Sequence, residues 1–262
     1  LENCKGLWTA VNGADFDFDG DIDYIVGNIG NNTLMKGTPE EPIKVLAKDF
    51  DNNGLYDMFP FVDFSMPDGK RKLVPFHGKD DVNKQLNLTR KKFVSFNEFA
   101  KADYENMFTS EERKDAQDLT LNTNYSVYVE NKGNGKFQIK PLPLQAQFSI
   151  VYGINIQDFD GDGNNDVLIS GNNYGNEILV GRLDASNGVF LKGDGKGNFK
   201  VVNNSGFYLP YDAKSAVSIT GAAGKLLIFG AQNRGPLRVF ETNLQKSNLN
   251  IKPGSKAIIY TV

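Results

Sequence analysis

Short apolar runs alternate along this chain with clusters of Asp, Asn and Gly, a pattern that predicts many brief strands joined by tight turns. Three segments share one template: Asp15-Phe-Asp-Phe-Asp-Gly-Asp-Ile-Asp23, Asp49-Phe-Asp-Asn-Asn-Gly-Leu-Tyr-Asp57 and Asp158-Phe-Asp-Gly-Asp-Gly-Asn-Asn-Asp166. A strand-like run precedes each (8–12, 43–47, 152–156) and another follows (24–27, 58–62, 167–170), so the predicted unit is strand, acidic loop, strand. Two Gly-rich turns, Glu130-Asn-Lys-Gly-Asn-Gly-Lys-Phe137 and Gly193-Asp-Gly-Lys-Gly-Asn-Phe199, lie between apolar runs and read as hairpins. Three strands without an acidic loop are expected at 216–219, 225–230 and 237–241, with a closing strand over 257–262.

Residues of about 79–118 break the β pattern. Asp80 is placed to cap a helix carrying Val82, Leu86 and Leu88, and Ser95 with Glu98 and Thr109 with Glu112 have capping-box spacing. Phe93, Phe96, Phe99, Tyr104, Met107 and Phe108 are expected to form the apolar face of two or three short helices. About four units result. The first is read as truncated, because Thr33–Lys36 leaves little room for outer strands. The second holds the helices, the third is complete and the fourth lacks an acidic loop. The expectation is an all-β chain, a single β-propeller-type domain over 1–262 with a small α-helical insertion at 79–118.

Composition narrows the chemistry. With 40% hydrophobic and 11% aromatic residues in 262, a packed core is expected and disorder is not. The net charge of −3 gives no basis for a nucleic-acid partner. A single cysteine, Cys4, rules out an intramolecular disulfide, and a single histidine, His77, rules out a zinc site built from several Cys or His residues. No apolar stretch reaches the ~18 residues that a membrane-spanning helix needs. The chain begins at Leu1 without Met or a leader and reads as a mature or trimmed fragment.

Five aspartates between Asp15 and Asp23 repel one another unless a cation sits among them. Calcium takes six to eight oxygen ligands from a tight loop, and a D-x-D-x-D-G run presents alternate side chains with a Gly at the sharp turn. The candidate ligands are Asp15, Asp17, Asp19, Asp21 and Asp23; Asp49, Asp51, Asn53, Leu55 and Asp57; and Asp158, Asp160, Asp162, Asn164 and Asp166, the seventh position of each loop through its backbone carbonyl. An EF-hand needs a Glu at the twelfth position and flanking helices. Val26, Pro60 and Ile169 stand there instead, in or beside apolar runs, so the ninth-position Asp is expected to close the cage. Asn53 lowers the ligand charge of the second loop, which is expected to bind calcium less tightly.

This strand–D-x-D-x-D-G-x-x-D–strand unit resembles the FG-GAP/VCBS repeat of integrin α-subunit propellers and bacterial surface proteins. Gly27-Asn-Ile-Gly30, Lys48-Asp-Phe-Asp-Asn-Asn-Gly54, Lys84-Gln-Leu with Lys91-Lys-Phe93, and Gly181-Arg-Leu-Asp-Ala-Ser186 are similar to Bacteroidetes surface proteins related to cartilage acidic protein, often found with an ASPIC/UnbV segment. The resemblance implies an extracytoplasmic protein, secreted, periplasmic or attached to the outer membrane, with two or three structural Ca2+ ions and no catalytic residues to transfer. The units here are too few for the seven or eight blades of such a ring. That leaves a piece of a longer protein, a short member that closes differently, or one that pairs with another copy. The expected role is non-enzymatic binding of a protein or glycan at the cell surface. The alternative is a carbohydrate-active enzyme, a polysaccharide lyase or glycoside hydrolase on a propeller scaffold. Tyr174, Tyr208, Tyr211 and Phe207 read first as core between sheets, with sugar stacking as the rival role. Arg182 and Asp184 read as an ion pair or as part of a ligand channel.

Overall fold

The computed structural model describes residues 2–66, 68–221 and 225–242, and a strand at 258–261. Among the described residues the chain is mostly β, with four four-stranded sheets, none closed on itself, and three short α-helices. It divides into two compact units, one formed by Leu1–Gly6 and Leu34–Asn124, the other by Leu7–Thr33 and Tyr125–Val262.

The larger unit opens with β1 (Ala10–Ala14) and β2 (Asp23–Gly27), joined by the first acidic loop. β1 starts two residues later than expected, although the Thr9 amide still pairs with the Gly27 carbonyl at 2.9 Å. The chain then leaves for the smaller unit. There β3 (Ile43–Lys48), β4 (Asp57–Ser65) and β5 (Arg71–Pro75) are followed by α1 (Lys79–Gln85), α2 (Thr89–Lys92), α3 (Phe96–Phe99) and β6 (Gln117–Leu121). The order of this sheet is β5-β4-β3-β6, all antiparallel, so its acidic loop joins two interior strands. Leu46, Phe59 and Phe61 of its strands pack on Val82, Leu86, Phe93, Met107 and Phe108. Val82 of α1 and Leu86, the C-cap that follows it, are both buried against the sheet.

Several expectations for this insertion change. The N-cap of α1 is Gly78, with no side-chain cap, and Asp80 lies in the first turn, where its charge suits the helix N-terminus. Leu88 and Phe96 are exposed rather than part of the apolar face. The Ser95–Glu98 capping box forms. Thr109 and Glu112 exchange the same pair of hydrogen bonds (2.6 and 3.2 Å), but only turns follow, and Asp115 at φ 63° ends them.

On its return the chain adds β7 (Val127–Asn131) and β8 (Phe137–Pro141) to the first sheet, giving β1-β2-β7-β8. The first unit is therefore not truncated: its outer strands come from beyond the excursion. β9 (Val151–Gln157), β10 (Asp166–Gly171), β11 (Val189–Gly193) and β12 (Phe199–Val201) form an antiparallel meander across the third acidic loop and the second hairpin. β13 (Ala213–Thr220), β14 (Leu226–Gln232) and β15 (Arg238–Glu241) form the loop-free sheet. The closing strand is β16 (Ile258–Thr261), parallel to β15; positions 257 and 262 of the expected run lie outside the described residues.

Side-chain alternation explains how these three sheets stack. Successive side chains of a strand point to opposite faces. Val167 and Ile169 of β10, with Val189 and Leu191 of β11, join Phe16, Ile25 and Tyr128 in one core layer. Leu168 and Phe190, from the same strands, join Phe159, Ala216, Ile228 and Phe240 in the next. The middle sheet is thus buried on both faces, which is why every position of β10 is buried and its centre, Val167, Leu168 and Ile169, is apolar throughout. The first strands β1, β9 and β13 are edge strands of their sheets, and β9 contacts both of the others. The Asn12 side chain donates to the Ile154 carbonyl at 3.0 Å, and the Ser218 hydroxyl to Gln157 at 2.8 Å.

Candidate metal centres

The three acidic loops adopt one backbone. Their fourth positions, Phe18, Asn52 and Gly161, have φ of 62°, 57° and 82°, and their sixth, Gly20, Gly54 and Gly163, have 93°, 87° and 88°. Two left-handed residues per loop turn successive amides inward, and glycine adopts that region at little cost. The first-position carboxylate takes one amide on each oxygen. Asp15 accepts from Phe18 (2.7 Å) and Gly20 (3.1 Å), Asp49 from Asn53 (3.0 Å) and Gly54 (2.8 Å), Asp158 from Gly161 (2.6 Å) and Gly163 (3.0 Å). The fifth position accepts from the seventh-position amide: Asp19 from Asp21 (2.9 Å), Asn53 from Leu55 (2.8 Å) and Asp162 from Asn164 (2.9 Å). An amide oxygen serves this turn as well as a carboxylate, so Asn53 preserves the loop while removing a charge.

The ninth position ties each loop to its sheet. Asp23, Asp57 and Asp166 are buried, and each accepts from the second-position amide, Phe16 (3.2 Å), Phe50 (3.2 Å) or Phe159 (3.0 Å). Those phenylalanines anchor the loops in aromatic clusters. Phe16 meets Tyr128 and Phe199 edge-on with centroids 5.7 and 5.1 Å away, Phe50 stacks on Phe108 at 4.2 Å, and Phe159 meets Phe190 at 6.0 Å. Asp23 and Asp166 also accept from the amides of Asn131 (2.8 Å) and Gly193 (2.9 Å), each beside one of the two Gly-rich hairpins.

Carboxylate oxygens of Asp15, Asp17 and Asp19 lie within 4.8 Å of one another, as do those of Asp49, Asp51 and Asp57, and of Asp158, Asp160 and Asp166. The side chains of Asp21 and Asn164 lie beside Gly133 and Gly195 of the hairpins. Leu55 is exposed. Burial, with repulsion from the neighbouring aspartates, raises the carboxyls of Asp17 and Asp57 above the ordinary range and that of Asp166 to about 6. Such mutual repulsion is what a cation would relieve. Loop three already holds one: the Lys192 ammonium pairs with Asp160 and, at 2.8 Å, with Asp162, whose carboxyl it holds below the ordinary range. The loop spacing gave no sign of Lys192, which approaches from β11.

Other residues singled out by sequence separate in the fold. Phe207 enters the core, whereas Tyr208 and Tyr211 are exposed and Tyr174 is half-buried, which corrects the core reading for the three tyrosines. Arg182 stacks on Tyr174, 4.7 Å from the ring centroid. Among the described residues no helix is long and apolar enough to cross a membrane. The chain matches no family model, no curated protein and no solved structure.

Proposed function

We propose that this chain is a calcium-stabilised interaction module of the β-propeller type, related to FG-GAP/VCBS proteins. Two or three structural Ca2+ ions sit in its acidic loops, and its surface is presented outside the cytoplasm to a protein or glycan. The observation that carries the calcium reading is the shared geometry of the loops. Three segments far apart in sequence have the same pair of left-handed residues, the same amide-capped first carboxylate and a converging set of acidic oxygens. A hard divalent cation is bound by such oxygens, and calcium tolerates the irregular geometry of a loop better than magnesium does. Carboxylates consumed by backbone hydrogen bonds hold the loop rather than activate water, which favours a structural ion.

The blade reading draws support from the larger unit. Its three sheets stack face to face with their first strands adjacent, the arrangement expected of neighbouring blades. The sheet of the smaller unit differs, since its acidic loop joins interior strands. The extracytoplasmic placement and the interaction role rest on the resemblance alone.

The test is a thermal melt in excess EDTA and in millimolar calcium, with bound metal counted by elemental analysis. A site saturated about a hundredfold above its Kd adds about 2.7 kcal/mol. A rise of several degrees in midpoint with two or three ions per chain is expected. An unchanged midpoint with no metal would reduce the loops to hydrogen-bonded turns.

A further inference from the structure

We infer that the larger unit carries a binding site for an acidic saccharide, one whose sugar rings bear carboxylate or sulfate groups. The site is a cleft of about 580 Å³ bordered by Tyr174, Arg182, Tyr211, Asp212, Asn233 and Arg234. This volume falls within the usual range for small-ligand sites, roughly 300–1,000 Å³. The inference gives a ligand class and a place to the glycan side of the proposed function and rests on that reading. It is independent of the calcium loops.

The floor is rigid and charge-balanced. Asp212 is buried and accepts from the Lys214 ammonium at 2.6 Å, the Asn233 amide group at 3.0 Å and the Tyr174 backbone at 3.4 Å. Burial works to raise its carboxyl, but these partners outweigh it and keep it ionised. One side chain therefore fixes two walls, the segment around Tyr174 and the β14–β15 turn. The third wall is fixed as well: Asn172, fully buried, donates to the carbonyls of Ser186 and Tyr211, and the Tyr211 amide donates to Gln232.

The rim is cationic and aromatic. Lys214 neutralises Asp212, so the positive charge of the rim comes from Arg182 and Arg234. Arg182 and Arg234 are exposed at the cleft, and Arg238 lies 6.0 Å from the Tyr211 ring, while the charges of Asp184 and Asp212 are both felt at Tyr174. Arg234 is held at φ 54°, a conformation that costs a non-glycine residue energy and recurs at binding sites. Guanidinium forks match carboxylate and sulfate oxygens in pairs. Tyr174 carries the Arg182 guanidinium on its ring, and the exposed Tyr211 adds a ring face against which the C–H face of a sugar can stack, a contact that an inorganic anion does not use. Paired arginines beside tyrosines, over a floor with an amide and a carboxylate for hydroxyl groups, favour an anionic sugar over a simple phosphate or a neutral glycan.

Calorimetric titrations would use three probes of equal length, an oligogalacturonate, a heparin-derived sulfated oligosaccharide and a neutral cello-oligosaccharide, with sodium sulfate as the bare-anion control. At least one acidic probe is expected to bind tenfold or more tightly than the neutral one and than sulfate. Arg182→Ala and Arg234→Ala should each weaken it tenfold or more, and Tyr211→Ala severalfold, while circular dichroism and the melting midpoint stay unchanged. The preferred acidic probe distinguishes a uronate from a sulfated ligand. Equal binding of all three probes, no binding, or acidic binding that survives both arginine variants would overturn the inference. If calcium-dependent melting persists while no saccharide binds, the cleft fails and the calcium loops stand. If saccharide binds without any calcium effect, the reverse holds.

Discussion

The Tyr128 hydroxyl donates to the Asp23 carboxylate at 2.7 Å, joining β7 to the end of the first acidic loop across more than a hundred residues of chain. Both side chains are buried, and burial together with the Asp23 charge pushes the tyrosine hydroxyl far above its ordinary range. A buried bond to an ionised acceptor contributes about 1.5–3 kcal/mol. Tyr128→Phe keeps the ring in its contacts with Phe16 and Phe199, so its cost isolates the hydroxyl. We expect a loss of about 1–3 kcal/mol in urea unfolding, similar in EDTA and in calcium. A variant as stable as the parent would mean that the Phe16 and Asn131 amides satisfy Asp23 unaided.

Two aspartates of the third loop separate the role of the ion from the role of the turn. Asp158 caps the amides of Gly161 and Gly163, so Asp158→Ala should retain a loss of about 1 kcal/mol even in chelator. Asp160 accepts one amide, at 3.2 Å, and the Lys192 ammonium. Asp160→Ala should therefore destabilise mainly in calcium. Paired thermal melts of both variants check this. Equal losses for the two in chelator would remove the distinction, and a loss for Asp160→Ala that is the same with and without calcium would count against an ion at this loop.

What the sequence disclosed and what it withheld follow from distance along the chain. The loop template was legible because each requirement is local: a carboxylate reaching amides three to five residues ahead, a glycine at φ near 90°, a phenylalanine facing the core. The hairpins at 130–137 and 193–199 were legible for the same reason. The outer strands of the first sheet were not, because β2 pairs with β7 only after the whole smaller unit has intervened. Likewise Asp166 reaches the Gly193 amide and Lys192 reaches Asp160 through sheet register, which no local spacing encodes. At Thr109 the capping signal was correct and the helix absent, since two hydrogen bonds do not supply the buried face that sustains a helix.

Lys192 makes a further separation possible. Its ammonium lies between Asp160 and Asp162, and their hydrogen bonds hold it charged well above the ordinary lysine range. A calcium ion using those oxygens must displace it. Lys192→Met keeps the aliphatic stem and removes the charge, so calcium affinity at the third loop should rise severalfold in a titration where the other two loops carry Asp15→Asn and Asp49→Asn. An unchanged or weaker affinity would place the ion away from Asp160 and Asp162.

Two glycines test whether space or backbone conformation governs substitution. A Cβ on Gly171 would lie 1.7 Å from the Ile150 carbonyl oxygen, at the irregularity between Ser170 and Gly171 where β10 meets β9. Backbone cannot yield by that much without breaking the pairing, so Gly171→Ala should cost about 3 kcal/mol or more, or prevent folding. Gly54, at φ 87°, has open space around its Cβ position. There the only penalty is the left-handed backbone, and Gly54→Ala should cost about 1–3 kcal/mol. Urea denaturation midpoints and soluble yield of the two variants give the ranking. If Gly54→Ala proved the more damaging, close approach of the sheet backbone would not be what makes Gly171 a glycine, and the strain of the acidic loop would be the larger constraint on this chain.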